Sequence, residues 1–253
     1  MNIDAPKKED YPALRALWRE AFGEEDSFLD AFWQTAFAPF RCRLVRKEDA
    51  VAAALYWLDC TYQGEKIAYL YAIATGKRFR AQGLCRALME DTHEHLKALG
   101  YLGALLVPSE PSLFAFYEKM GYRTASRICE LRAERGGEPA PLRALDAKAY
   151  AAKRVPLLPV GSVAEGEAFF ALLKEDSAFY EGNGFLLAAR KEKERLFGLE
   201  LLGDTAAAPA ILNALDCEEG IFRTVGTETP FSMYLPFGRT ASSSPEYFAF
   251  ALD

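Results

Sequence analysis

The chain has 253 residues, of which 51% are hydrophobic and 26% are charged, a balance that is ordinary for a folded globular protein. Its 30 lysine and arginine residues stand against 36 aspartate and glutamate residues, so the formal net charge is −6. That charge repels a polyanion, which argues against nucleic acid as a partner. The five cysteines are scattered and show neither a disulfide framework nor metal-ligand spacing, so we expect free thiols and no metal.

The sequence contains no recognisable export or membrane segment. Residues 1–10 lack the apolar stretch of a secretory signal, and nowhere do about 18 uncharged apolar residues run together. We therefore expect a cytoplasmic protein with no membrane partner. The length is sufficient for one large domain or two smaller ones, and the pattern along the chain favours two.

The front of the chain predicts two helices followed by strands. Residues 11–22 and 28–37 carry apolar residues at the spacing of a helix that packs on one face. Residues 41–46 and 51–62 then have the composition of strands joined by a polar turn. A third strand, 67–75, leads into a basic turn.

A helix, a strand, a second helix and a last strand follow this turn. The predicted helix begins after Gly83 and ends at Gly100, and residues 101–107 form an apolar run short enough for a buried strand. Residues 112–120 predict a short helix, and 122–132 the last strand of this half. The order indicates a mixed α/β fold rather than a regular doubly wound one.

The turn between strand 67–75 and the following helix has the features of an anion site. The first amides of a helix have no partner inside it, and the aligned peptide dipoles place partial positive charge there. Gly83 has no side chain to obstruct close approach to the backbone. Positive charge is supplied nearby by Lys77, Arg78, Arg80 and Arg86. An ordinary strand-to-helix turn, with Arg86 as a solvated surface charge, is the alternative interpretation.

Two motifs in this half resemble those of the GNAT acetyltransferases. Residues 73–88, Ile-Ala-Thr-Gly-Lys-Arg-Phe-Arg-Ala-Gln-Gly-Leu-Cys-Arg-Ala-Leu, resemble the family's acyl-CoA pyrophosphate motif Q/R-x-x-G-x-G/A. Arg80 and Gly83 match this motif, and Cys85 departs from it. Residues 108–122 resemble the second motif, a short helix that ends in a tyrosine and precedes a glycine-aromatic pair. Two motifs in the right order are much harder to obtain by chance than one.

The resemblance implies a fold and a cosubstrate. The fold is a mixed, mostly antiparallel sheet with splayed central strands and flanking helices, and acetyl-CoA lies in the V between those strands. The pantetheine arm is then expected to pair with the backbone of Ile73, Ala74 and Thr75. The residues expected to hold the pyrophosphate are Arg80, Ala81, Gln82, Gly83, Leu84, Cys85 and Arg86.

Tyr117 stands at the tyrosine position of the second motif, where the resemblance implies a general acid that protonates the leaving thiolate. A phenol has an acidity close to that of the thiol it protonates, which suits this task. The structural alternative is a core aromatic on an amphipathic helix. Glu110 stands where family members often have an asparagine that touches the pantetheine arm, so that contact is not expected here.

No general base stands out. Tyr69 and Tyr71 occupy the strand before the loop, where a glutamate would be convenient, and neighbouring segments offer Asp59, Glu65 and Glu110. A water chain, or an amine that is already neutral, would also suffice. The base is therefore left unassigned.

The histidines and the cysteine of the predicted helix carry weaker signals. His93 and His95 are two residues apart, so they point to different sides of a helix, and we expect surface residues rather than a metal site. Cys85 lies at a helix N-terminus, which can lower the pKa of a thiol. No histidine is positioned to activate it, which argues against a catalytic nucleophile.

Residues 134–141 are rich in glycine and proline and are interpreted as a linker. They separate a GNAT-like domain, 1–133, from a smaller C-terminal α/β domain, 142–253. The C-terminal part mixes helices and strands but lacks the R-x-x-G-x-G/A signature. We interpret it as a degenerate second GNAT-like unit, as in tandem members of the family.

The leading hypothesis is an N-acetyltransferase that uses acetyl-CoA as cosubstrate and a primary amine of a small molecule or peptide as acceptor. The alternative is a non-catalytic acyl-CoA-binding or interaction module, for which Cys85 and the missing base argue. The sequence does not identify the acceptor, and it is compatible with a homodimer.

Overall fold

A computed structural model describes residues 2–238 and 244–252. Met1, residues 239–243 and Asp253, which fall within the predicted domains, lie outside the described residues. The α-helices are α1 (Tyr11–Phe22), α2 (Asp26–Thr35), α3 (Leu84–Ala98), α4 (Ser112–Glu118), α5 (Ala147–Arg154), α6 (Glu167–Leu173) and α7 (Ala208–Ala214). In the described part of the chain, none of them combines the length and the apolar character needed to cross a membrane.

The strands follow the predicted order in the first half and continue through the second. They are β1 (Asn2–Asp4), β2 (Cys42–Lys47), β3 (Ala50–Tyr62), β4 (Glu65–Thr75), β5 (Gly103–Leu106), β6 (Arg123–Thr124), β7 (Arg127–Glu134), β8 (Arg143–Leu145), β9 (Val163–Glu165), β10 (Ala178–Gly182), β11 (Phe185–Glu192), β12 (Arg195–Gly203), β13 (Glu219–Val225), β14 (Thr229–Pro230) and β15 (Met233–Pro236).

The two front helices pack their apolar faces on the first sheet, as the spacing predicted. Trp18 of α1 contacts the ring of Phe32 of α2 and that of Tyr56 on β3, with centroids 4.6 and 4.9 Å apart. All three side chains are buried. Gly23 ends α1 in the left-handed region, with φ at 76°, and its amide donates to the Arg19 carbonyl.

The strands form two sheets with equivalent orders. The first sheet has the order β1-β2-β3-β4-β5-β15-β6, with β9 also paired to β3, and the second has the order β8-β10-β11-β12-β13-β7-β14. Neighbouring strands are antiparallel except at one pair in each sheet, β4 with β5 and β12 with β13. The mixed, mostly antiparallel α/β fold is confirmed, and the second half repeats the strand order of the first.

The two halves exchange a strand. In the position after β5 the first sheet holds β15 from the end of the chain, and in the position after β13 the second sheet holds β7 from the first half. The single strand predicted at 122–132 is therefore wrong, because the chain crosses between sheets after β6. The division at residues 134–141 stays a prediction, and each sheet draws strands from both sides of it.

The two crossing segments meet at a pair of buried serines. The Ala125 amide donates to the Ser232 carbonyl at 2.8 Å, and the Phe231 amide donates to the Ser126 carbonyl at 3.0 Å. The hydroxyls of Ser126 and Ser232 are 2.6 Å apart, and Ser126 also donates to the Phe248 carbonyl at 3.0 Å. Both crossings are thus fully hydrogen-bonded in the interior, where an unpaired polar group would be costly.

A buried ionic cluster joins elements of both sheets. The Arg154 guanidinium, at the end of α5, donates to Glu165 of β9 at 2.5 Å and to Glu200 of β12 at 2.6 Å. These side chains are at most 2% exposed. The hydroxyls of Tyr150 and Tyr247 donate to Glu200 at 2.8 and 2.9 Å, so Glu200 receives hydrogen bonds from three side chains in the protein interior.

In this cluster two carboxylates share one guanidinium, and the effect is seen in the pKa of Glu165. Burial, with the nearby Glu200 carboxylate, raises the pKa of Glu165 to about 7 although Arg154 opposes the rise. The folded chain therefore holds this proton more tightly than the unfolded chain. The resulting stabilisation is complete below the unfolded pKa of 4.5 and is lost as the pH rises through about 7.

We predict that the wild type loses up to about 3 kcal/mol of unfolding free energy between pH 5 and pH 8 that Glu165→Gln does not lose, because glutamine has no proton to release. Urea unfolding at the two pH values measures the change. Glu194→Gln, at an exposed turn, is the matched control and should follow the wild type. An identical pH dependence in the wild type and Glu165→Gln would contradict the prediction.

Candidate functional site

The central strands of the first sheet separate after two paired positions. β4 and β5 pair at Ala68 with Ala104 and at Tyr69 with Leu105, and β4 then continues alone on that side to Thr75. A β-bulge accompanies the separation, since the register against β3 shifts and Ala72 has a φ of 48°. A bulge bends its strand and is common beside active sites. The predicted splayed central strands are confirmed.

A cavity of about 140 Å³ lies in this separation. Its walls are formed by Trp18, Phe22, Glu24, Tyr69, Leu70, Tyr71, Ala72, Ile73, Leu106, Val107, Ser109, Leu113, Tyr117, Ala251 and Leu252. The fold thus brings Tyr117 and Ile73, two of the predicted site residues, to one cleft. Ala74, Thr75 and the predicted loop residues 80–86 do not line it and lie farther along the strand and the helix.

The loop that precedes α3 presents unpaired backbone amides. Gly83 stands at the N-cap with φ at 74°, and no side chain caps the helix. Among the described residues, no acceptor pairs with the amides of residues 81–86. A Cβ built on Gly83 would meet nothing within 4 Å, so this helix end is open. Such amides are the donors that a phosphate requires.

The start of the loop is held firmly. The Gly76 amide donates to the Ala52 carbonyl at 2.9 Å, and the Lys77 amide donates to the Glu20 carboxylate at 2.6 Å. The Arg80 guanidinium donates to the Thr75 carbonyl at 3.2 Å, so its charge stays beside the loop. Arg86 is exposed and lies 4.0 Å from Glu90 one turn later, an arrangement typical of a solvated surface charge.

Tyr117 lies at the cleft with its hydroxyl unused. The side chain is 7% exposed, its ring packs edge-on against Phe116 and Tyr122, and its hydroxyl has no hydrogen-bond partner among the described residues. Burial, with a contribution from Cys85, raises its pKa well above the usual value. The phenol therefore stays protonated at physiological pH, and its acidity is not matched to that of a free thiol.

For α3 the expected surface position of His93 is wrong, and the helix N-terminus does not lower the pKa of Cys85. Burial raises the pKa of the Cys85 thiol to about 11, which outweighs the helix N-terminus and disfavours a thiolate. His93 is buried, not on the surface, and its Nε2 lies 2.8 Å from the Tyr122 hydroxyl. Burial lowers the pKa of His93 to about 4, so the ring is neutral. In the described part of the chain, no group of three or more histidine, cysteine or acidic side chains could hold a metal.

The carboxylates considered from the sequence do not line the cleft. Asp59 is bound by the Arg41 guanidinium at 2.6 Å and by the Tyr101 hydroxyl at 2.5 Å, and Glu65 and Glu110 are exposed elsewhere. Glu24, which the sequence analysis did not consider, does line it. It lies in the polar turn between α1 and α2, and no local pattern distinguishes it from the acidic residues around it.

Comparison with known proteins agrees with this geometry. Residues 2–125 match the family model described as an acetyltransferase (GNAT) domain, and no curated protein sequence matches the chain. The chain is similar in structure to the GCN5-related N-acetyltransferase from Kribbella flavida, with a TM-score of 0.68 and 17% identity over 92% of this chain and 70% of that one. The corresponding protein from Anabaena variabilis gives a TM-score of 0.69 and 13% identity over 94% and 73% of the two chains.

A tandem GNAT protein from the clavulanic acid biosynthesis pathway is similar over 94% of this chain and all (100%) of that one, with a TM-score of 0.58 and 13% identity. At these identities the likeness is one of fold, and it extends over both halves. The family match and the repeated, strand-exchanged sheets lead to the same conclusion. Residues 2–125 belong to the GNAT superfamily as an acetyltransferase (GNAT) domain, and the likeness of fold to a tandem GNAT protein extends over the rest of the chain.

Proposed function

We propose that the protein is an N-acetyltransferase that moves an acetyl group from acetyl-CoA to a primary amine of a small molecule or peptide. The observation that carries the proposal is the arrangement around splayed β4: open amides before α3 lie beyond one end, and the Tyr117 hydroxyl lines the cleft itself. A cosubstrate with a diphosphate at one end and a thioester at the other fits this arrangement.

The residues of the loop and of β4 would hold the cosubstrate. The amides of residues 81–86 would bind the pyrophosphate, with Lys77, Arg78 and Arg80 as neighbouring positive charge. The unpaired edge of β4 at residues 73–75 would pair with the pantetheine arm as an added strand pairs with a sheet. Binding energy gathered at these positions serves to orient the distant thioester.

Tyr117 would act on the leaving group. Its protonated phenol, unpaired in the protein, would donate a hydrogen bond to the thioester sulfur and stabilise the thiolate as the C–S bond breaks. The raised pKa disfavours a free phenolate. The phenol would therefore give its proton to the sulfur only as it receives one from the nitrogen of the tetrahedral intermediate.

We predict that Gly83→Ala weakens acetyl-CoA binding about tenfold, because a Cβ at the mouth of the loop obstructs the approach of the pyrophosphate. Titration calorimetry with acetyl-CoA measures this. Gly137→Ala is a matched control, since Gly137 is exposed, has a φ of 71° against 74° for Gly83, and has equally open surroundings. Both variants should lose about 1 kcal/mol of stability, and equal acetyl-CoA affinities would refute the role of the loop.

We predict that Tyr117→Phe lowers kcat for acetyl transfer about 100-fold and leaves the acetyl-CoA dissociation constant unchanged. Radiolabelled acetyl-CoA and a panel of amines provide the assay, with Tyr180→Phe in the second sheet as the control. Absence of acetyl-CoA binding at millimolar ligand would remove the basis of the proposal. Tight binding without turnover, unaffected by Tyr117→Phe, would favour the non-catalytic acyl-CoA-binding module instead.

A further inference from the structure

A second cavity continues the cleft toward the second half of the chain. It measures about 160 Å³ and shares Glu24 and Leu252 with the cleft that contains Tyr117. Its remaining walls are Phe28, Leu172, Leu173, Asp176 and Arg190. Glu24 therefore borders two adjacent spaces, one beside Tyr117 and one between the two halves.

Glu24 carries the charge that no opposite charge offsets among the described residues lining the two cavities. Among the described residues that line the cleft itself, it is the one with a charged side chain. In the second cavity Asp176 and Arg190 form an ion pair at 2.5 Å and so offset each other. A ligand that enters these spaces thus meets one net negative charge, which favours a monovalent cation over an anion or a neutral molecule.

We infer that Glu24 binds the ammonium group of the acceptor and removes its proton, and that the acceptor enters through the second cavity. This inference rests on the proposed function and assigns the base that the sequence left open. Apart from Glu24 and the Asp176–Arg190 ion pair, the walls of the second cavity are apolar and are formed by Phe28, Leu172, Leu173 and Leu252. The acceptor is accordingly a primary ammonium carried on a slender apolar stem.

The surroundings of Glu24 make its carboxylate a stronger base. The side chain is half-buried, and burial followed by the Asp176 carboxylate raises its pKa, with a smaller contribution from Glu25 and an opposing one from Arg190. A carboxylate with a raised pKa is a stronger base than one in water. Since it must be ionised to act, kcat/KM falls as the pH falls through its pKa.

The proton and electron balance is complete with these groups. Glu24 takes one proton from the ammonium, and the freed nitrogen lone pair forms the C–N bond to the acetyl carbon. The C–S bonding pair leaves on sulfur, which receives the Tyr117 proton, and the phenolate regains a proton from the acylated nitrogen. The products are the amide and the free thiol, and Glu24 releases its proton to water.

Glu24→Gln tests the inference with two nucleophiles that differ in charge. Alkylamines from propylamine to octylamine are ammonium ions at pH 7 and need a base, whereas hydroxylamine is largely uncharged there and does not. We expect Glu24→Gln to lower kcat/KM for alkylamines about 100-fold at pH 7 and to move the acid limb of their pH profile up to the pKa of the amine, because only the neutral amine then reacts. The hydroxylamine rate should change less than about threefold, and acetyl-CoA affinity should not change.

Two further variants separate catalysis from structure. Glu25→Gln alters the adjacent exposed carboxylate, which lines neither cavity, and should keep the wild-type kcat/KM at pH 7. Its acid limb should move slightly to lower pH, because Glu25 contributes to the raised pKa of Glu24. Glu24→Asp should keep the acid limb near its wild-type position, because it retains a carboxylate. A melting temperature for each variant shows that the fold is intact.

The outcomes distinguish the two proposals. If the wild type transfers acetyl to no amine, the proposed function fails and this inference fails with it. If the wild type is active and Glu24→Gln slows both nucleophiles equally, or neither, Glu24 is not the base and only the inference is overturned. A wild type that acetylates hydroxylamine but no alkylamine would overturn the assigned acceptor class.

Discussion

The separation of β4 from β5 is the constraint on which the site depends, and the exchanged strand β15 explains why it is stable. β5 pairs with β15 at all four of its positions, from Gly103 with Pro236 to Leu106 with Met233. With its other edge satisfied, β5 keeps its place in the sheet after only two positions of pairing with β4. The end of the chain therefore supports the opening of the cleft in the first half, and the buried crossing at Ser126 and Ser232 fixes where that support begins.

The second unit has the same sheet order but not the same anion site. β12 pairs with parallel β13 from Arg195 to Gly198 and then departs from it, as β4 departs from β5. At the following turn, however, the Asp204 carboxylate accepts from the Ala206 amide at 3.0 Å. A carboxylate beside that helix end occupies a donor and repels a phosphate, and α7 has only 7 residues. Local chemistry, not topology, therefore distinguishes the open helix end of the first half from that of the second.

The sequence predicted those features that local pattern encodes. The apolar stripes of the first helices, the glycine at the start of α3 and the tyrosine helix all lie where expected, because each depends on nearby residues. The strand exchange was not predictable, since the residues 122–132 have the same alternating pattern whether they stay in one sheet or cross to another. The environment of His93 was missed for a related reason: its burial depends on Tyr122, which is distant in sequence.

The same limit explains why the sequence did not point to Glu24, the base that we propose, and where a tandem chain can carry specificity. Loop residues 81–86 and Tyr117 follow short motifs, and the cosubstrate that we propose for them has a fixed chemistry. Glu24 has no motif, and its pKa is raised by burial and then by Asp176, a residue of the second half that only folding brings near. The walls of the second cavity likewise come from both halves. A second unit without an anion site of its own can thus still determine which amine reaches the first, by supplying the surface against which the acceptor packs.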